Sequence, residues 1–180
     1  MKTKQTNKLF ALFVGGRIKK CNIELHDIFF IVSENIEQTY KLIIDKWWGD
    51  SYIHLDSYID LSRIENYQVE ICHSQKSEKK LFFINFGSYK KGIFGETHNY
   101  EFVVANDKSE AIKKVKESLN IILVESEMIH LDDSLNIDDC IDLSEKYKLN
   151  LTTIESCNKL EIVHTNKRLC LDKDNPKYLF

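Results

Sequence analysis

The chain repeats itself. Residues 8–33 align without a gap to residues 80–105 at a constant offset of 72. Nine pairs are identical: Lys8/Lys80, Leu9/Leu81, Phe10/Phe82, Gly15/Gly87, Lys19/Lys91, Glu24/Glu96, His26/His98, Phe30/Phe102 and Val32/Val104. Average composition would supply about one or two matches in such a window. The register carries on at helical spacing through Tyr40/Ile112, Ile43/Val115 and Trp47/Leu119. After small insertions in the second copy, His54-Leu55-Asp56 matches His130-Leu131-Asp132, and Ile59-Asp60-Leu61-Ser62 matches Ile141-Asp142-Leu143-Ser144. Self-similarity of this kind constrains the fold before local propensity does, because each copy must be one supersecondary unit.

Each unit reads as ββαββ. Leu9–Val14 is a strand ending at a Gly15-Gly16 turn, and Ile23–Val32 is a second, rich in β-branched and aromatic residues. Asn35 and Gln38 form a helix-capping pair ahead of the stripe Ile36, Tyr40, Ile43 and Trp47, which Ala111, Ile112, Val115 and Leu119 repeat. Tyr67, Val69 and Ile71 alternate with polar neighbours as in a half-buried strand, and Tyr147, Leu149 and Leu151 repeat them. The predicted organisation is a polar tail (1–7), repeat 1 (8–72), a linker (73–79), repeat 2 (80–155), and a C-terminal hairpin and tail (156–180) built on 160–164 and 169–171. The fold class is α+β: two tandem ββαββ repeats, each a helix packed on a mixed sheet like a ubiquitin-like roll (β-grasp), related by a pseudo-twofold axis.

Composition narrows the function classes. At 180 residues, 43% hydrophobic and 29% charged, the chain is an ordinary globular one. Lys2 and Lys4 ahead of Leu9–Val14 mimic a leader, but the same segment recurs at Leu81–Phe86, so it reads as a strand. No apolar run approaches the roughly 18 residues a membrane span needs. A net charge of −3 argues against a nucleic-acid partner, because phosphate neutralisation needs excess cations. Five cysteines without a Cys-x-x-Cys point to reduced thiols, hence a cytoplasmic protein, with each thiol serving as a small hydrophobe. A monomer or homodimer is expected.

The segments Phe13-Val14-Gly15-Gly16-Arg17, Asn22-Ile23-Glu24-Leu25-His26-Asp27, Glu96-Thr97-His98, His130-Leu131-Asp132-Asp133 and Ile137-Asp138-Asp139-Cys140 resemble a bacterial family, domain of unknown function 1543. The resemblance runs from residue 8 to about residue 151 and implies an uncharacterised bacterial protein made of one or two copies of this unit. It lends no activity or cofactor.

The repeat points to candidate residues, since a residue kept in both copies answers a shared need. Four of the six histidines are matched between copies, His26 with His98 and His54 with His130. Glu24 and His26, two apart on a strand, leave the same face, which continues through Ile28, Phe30 and Val32 and is predicted to be the helix-covered side. The ligand-binding candidates are Glu24, His26, His54 and Asp56, with Glu96, His98, His130 and Asp132. A Glu-x-His pair could supply an acid and a base, but two readings lead, the binding module first and the metal site as its alternative. In one, the histidines and acids hydrogen-bond pairwise within a binding module for a protein or small-molecule partner, and no cofactor is involved. In the other, Glu24, His26, His54 and Asp56 hold Zn²⁺, Mn²⁺ or Fe²⁺ in a metal-binding protein or metal-dependent enzyme. The two differ in one geometric respect: a metal centre needs all four side chains of a copy within reach of one ion.

Other features read as structural. Gly15-Gly16 lacks the Gly-Lys-Ser/Thr of a nucleotide loop and is expected to be a turn. Trp47 is core and Trp48 exposed. Asp132-Asp133 with Asp138-Asp139 lacks the spacing of a calcium loop and reads as solvated. No nucleophile elbow or dinucleotide fingerprint assigns an enzyme activity.

Overall fold

The computed structural model describes residues 6–49, 53–72, 77–88, 92–125, 136–155 and 159–169. Their order is β1 (Lys8–Gly16), β2 (Leu25–Ser33), α1 (Thr39–Lys46), β3 (Ile53–Asp60), β4 (Arg63–Ile64), β5 (Tyr67–Ile71), β6 (Lys80–Ser88), β7 (Thr97–Ala105), α2 (Lys108–Glu125), β8 (Asn136–Asp142), α3 (Leu143–Tyr147), β9 (Leu149–Thr153) and β10 (Val163–Leu169). The protein is α+β, with sheets ordered β10-β3-β1-β2, β4-β5-β9 and β7-β6-β8. No helix among the described residues is long and apolar enough to cross a membrane.

Two compact units form. One combines Met1–Arg63 with Cys157–Phe180, and the other is Ile64–Ser156. In the first, β1 is central and pairs antiparallel with both β2 and β3. Strands β2 and β3 therefore run parallel to each other with β1 between them, and α1 makes the crossover, as in a split βαβ unit. The second unit pairs β6 antiparallel with β7 and β8 in the same way, with α2 as the crossover. This corrects the expected mixed sheet. The hairpin comes first, and the helix then returns the chain to the far edge of the first strand, so hydrogen-bonded neighbours in the described pairings are antiparallel.

The expected segment boundaries shift for a related reason. Strand β5 pairs with β9 from Tyr67↔Thr153 to Ile71↔Leu149, which draws it into the second unit. The expected C-terminal hairpin is instead one strand, β10, added to the edge of β3. Its register shifts between His164 and Lys167, where Asn166 adopts a left-handed backbone (φ 48°). Tyr147, expected to open a strand, closes α3, which Asp142 caps by accepting from the Glu145 amide at 2.8 Å.

Alternation sets the faces. Phe10, Leu12 and Val14 of β1, Phe29 and Ile31 of β2, and Ile53 and Leu55 of β3 pack with Tyr40, Ile43, Ile44 and Trp47 into one core. Asn35 Oδ1 accepts from the Gln38 amide at 3.1 Å just before α1, as the capping pair predicted. Trp47 is buried and Trp48 is 55% exposed. In the second unit Phe82, Ile84, Phe86, Val103 and Ala105 pack on Ala111 and Val115; Leu119 falls outside the described side chains. One ion pair occurs in both units, Lys8 Nζ–Asp60 Oδ2 at 2.6 Å and Lys80 Nζ–Asp142 Oδ2 at 2.8 Å.

Candidate metal centre

The helix-facing residues of β2 are Phe29 and Ile31, so His26 lies on the opposite face of the sheet. That corrects the face predicted for Glu24 and His26. A run apolar at nearly every position, Ile28 to Val32, carries no alternation from which to tell its two sides apart.

The face opposite the helix places the site in one row across four strands. Arg168 of β10 pairs with His54 of β3, His54 with Gly15 of β1, and Gly15 with His26 of β2. Gly15 was expected to form a turn, but it is the second-last residue of the strand and is buried. Its backbone is not left-handed: Gly92 and Gly95 are the described glycines with positive φ. It is glycine for space. A Cβ there would stand 2.5 Å from His54 Nε2 and 2.6 Å from His26 Nε2 and Cδ2, so two imidazoles close over a bare backbone.

Asp56 arrives by a β-bulge. The β1–β3 register runs Val14↔Leu55 and then Phe13↔Ser57, leaving Asp56 as the extra residue. A bulge of this kind re-aims a side chain, and here the carboxylate reaches both imidazoles. His26 Nε2 stands 3.3 Å from Asp56 Oδ2, His54 Nε2 stands 3.5 Å from Asp56 Oδ1, and Glu24 Oε2 is 3.9 Å from His54 Nε2. The ligating atoms of Glu24, His26 and His54 all lie within 4.8 Å of one another. Phe13 stacks on the His26 ring, centroids 5.3 Å apart and planes at 15°. The site is shallow: the His54 side chain is 12% exposed and the other three about a third.

Two standards bracket these separations. A good N–H···O hydrogen bond spans about 2.7–3.2 Å. Two ligands of a tetrahedral ion at bond lengths of about 2.0–2.2 Å lie about 3.3–3.6 Å apart. The distances of 3.3, 3.5 and 3.9 Å sit at and just beyond that second range.

The second unit diverges. His130 and Asp132 lie outside the described residues. The strand register assigns their expected roles to other residues, because Gly87 pairs with Asn136 and the bulge residue between Ile137 and Asp139 is Asp138. Asn136 thus stands where the first unit has His54, and Asp138 where it has Asp56. His98 uses both ring nitrogens, Nδ1 at 3.3 Å from Asp138 Oδ2 and Nε2 at 3.9 Å from Glu96 Oε2. The Glu96 carboxylate covers Gly87, in the space the imidazoles take over Gly15. Among the described residues, Glu24, His26 and His54 form the one group placed to hold a metal ion.

Asp138 and Asp139, read as loop, belong to β8. Of the described cysteines, Cys21 is exposed rather than a core hydrophobe, and burial pushes the Cys140 thiol up from its ordinary value. A groove of about 210 Å³ beyond the other end of β3 sets Arg63 and Lys159 against Asp60 and Glu161, mixed charges that select no ligand.

The sequence reading missed two participants. Arg168 sits on the open face because β10 alternates exposed His164, Asn166 and Arg168 with more buried neighbours; that alternation was visible, but the pairing with β3 was not. Asp138 reads from sequence as part of a solvated acidic loop, although the offset of 82 that matches Asp60 to Asp142 also matches Asp56 to Asp138.

Residues 21–71 match the family described as Domain of Unknown Function (DUF1543), the family the sequence resembles. That segment contains Glu24, His26, His54 and Asp56. The chain is also similar to a solved structure, the protein Il1583 from Idiomarina loihiensis, at 29% identity and a TM-score of 0.63, over 90% of this chain and 95% of that one. No curated protein matches the chain.

Proposed function

We propose that this protein, DUF1543 over residues 21–71, is a divalent-metal-binding module whose centre is built by Glu24, His26, His54 and Asp56. The observation that carries the reading is the convergence of two imidazoles and the Glu24 carboxylate, whose ligand atoms all lie within 4.8 Å of one another, with Asp56 in contact with both imidazoles at 3.3 and 3.5 Å. The glycine beneath them supports it, since a pairwise hydrogen-bonded set would not need both rings to close on one backbone atom. Two imidazoles with two carboxylates suit Zn²⁺, Mn²⁺ or Fe²⁺, and the shallow face leaves room for an added ligand.

The two units are copies of one ancestral unit in this reading. The shared strand pairing, the bulge carrying Asp56 or Asp138, and the duplicated lysine–aspartate pair support the duplication. Binding chemistry then resides in the first copy. Replacement of the second histidine by Asn136 leaves the other copy with one imidazole between two carboxylates.

The test is elemental mass spectrometry on protein purified without chelator or affinity tag, beside His54→Asn and His98→Ala. His54→Asn puts into β3 the residue the second unit carries at the same place. The expected result is about one transition-metal equivalent in wild type and His98→Ala, and none in a cooperatively melting His54→Asn. Wild type that is metal-free and takes up no Zn²⁺, Mn²⁺ or Fe²⁺ when offered overturns the reading.

A further inference from the structure

The row that builds the metal centre does not end at His54. Its next member is Arg168, paired with His54 across the β10–β3 ladder. Residues directly opposite in an antiparallel pair place their Cβ atoms about 5 Å apart on the same face. The neighbouring cation, Lys167, lies on the other face, its Nζ 4.2 Å from the centroid of the Tyr40 ring in the helix-side core. Arg168 is exposed and Leu169 beyond it is buried, so the strand anchors in the core and places Arg168 directly opposite His54 in the register. The two bulges reinforce the placement. The register shift in β10 falls opposite Asp56, and Thr165 Oγ1 donates to Leu55 O at 2.5 Å, which pins β10 to β3 next to the site.

We infer that Arg168 makes this centre a receptor for an oxyanion, a phosphate or carboxylate group that binds the metal at one oxygen and the guanidinium at another. The inference rests on the metal-centre reading and adds the ligand class to it. Charge is the first reason. A divalent ion cancels the two carboxylates Glu24 and Asp56, the imidazoles coordinate as neutral bases, and Arg168 adds a cation to the same row of the sheet. Geometry is the second. A guanidinium presents a planar fork of donors that matches two oxygens of a carboxylate or phosphate, which a lysine does not. Coordination is the third, because a site with an open position takes an oxygen ligand there and can expand from four to five ligands.

The experiment uses the full chain loaded with Co²⁺, whose visible bands are intense in four-coordinate sites and weaken on five-coordination. Inorganic phosphate and acetate are titrated separately into wild type, Arg168→Gln and Lys167→Gln; the last removes the same charge from the opposite face. The expected result is that wild type and Lys167→Gln respond to phosphate, acetate or both, while Arg168→Gln keeps its Co²⁺ bands and binds the anion about tenfold to hundredfold more weakly. A response to one anion alone identifies the class. Equal anion binding by wild type and Arg168→Gln, or no anion response in a Co²⁺-loaded wild type, overturns the role of Arg168 and leaves the metal centre standing. Failure of wild type to bind Co²⁺ overturns the metal centre and this inference with it.

Discussion

Adding one methyl group at Gly15 separates the centre from the fold that carries it. Gly15 has no left-handed backbone requirement, so alanine fits its strand conformation, and the exchange lowers unfolded-chain entropy by about 0.4–1 kcal/mol in favour of folding. The cost falls on the side chains. The new Cβ would stand 2.5 Å from His54 Nε2, about 0.9 Å inside the 3.4 Å at which ordinary contact begins, with His26 nearly as close. Both rings border solvent and can turn away, so relief is cheap for the fold. It is not cheap for a metal, whose ligand distances tolerate only about ±0.2 Å. Gly15→Ala is expected to weaken Zn²⁺ binding at least a hundredfold, about 2.7 kcal/mol, while the melting temperature moves by no more than the 4–8 °C that about 1 kcal/mol produces in a unit of this size. Calorimetric Zn²⁺ titration of the apoprotein, beside thermal melts, measures both. Gly87→Ala is the matched control. The three atoms nearest its Cβ all belong to the flexible Glu96 side chain, and Zn²⁺ affinity should be unchanged. A Gly15→Ala protein that binds Zn²⁺ like wild type would refute the claim that the glycine exists to let two imidazoles close.

Two further outcomes test the scaffold. Burial would raise the Asp60 carboxyl, but hydrogen bonds from Lys8 and Ser62 outweigh it and hold the group below its ordinary value. Its stabilising contribution is therefore present above the unfolded carboxylate pKa near 4 and lost as pH falls through the lower folded value. The pair is partly exposed, so Asp60→Asn should cost no more than about 1 kcal/mol at pH 7. Urea midpoints at pH 7 and pH 3 check this, and a gap that persists at pH 3 contradicts it. Ile43 is fully buried under the first sheet, and Ile43→Ala should cost about 2–5 kcal/mol in the same assay.

Identity at fixed spacing pointed to two copies of one unit, and apolar stripes made the helices legible. Recurrence of residue types singled out Glu24, His26, His54 and Asp56, which the fold brings into contact with one another. Three features were hidden, each for a physical reason. The facing of His26 was lost because Ile28–Val32 is apolar at almost every position, so period-two alternation carried no sign. The role of Gly15 was mistaken because glycine answers both a positive φ and a need for space, and only the cross-strand partners distinguish them. Arg168 was missed because its neighbour lies 114 positions earlier in the chain, and strand pairing over that separation leaves no local trace. The bulge explains the mismatched copies: an inserted segment before β8 carries a second His-Leu-Asp, and similarity of letters outweighed the register that Lys80 and Asp142 fix.

That register permits a gain of function. Asn136 pairs with Gly87 as His54 pairs with Gly15, and Glu96, His98 and Asp138 already occupy the other three places. One imidazole therefore separates the second unit from the first. Asn136→His should raise the metal content from about one equivalent per chain to about two, and a second substitution, His98→Ala, should return it to one. The added site should bind more weakly than the first, because the Glu96 carboxylate lies over Gly87 and His98 must give up its contact through Nδ1 before Nε2 can face the same ion as a new imidazole. It should also give no oxyanion response of its own, since in the described sheet β8 has no further strand beyond it to supply an arginine where β10 supplies Arg168. Elemental analysis of the folded variants reads the stoichiometry directly. A folded Asn136→His protein that takes up no second equivalent would show that the difference between the units lies elsewhere than in the missing histidine.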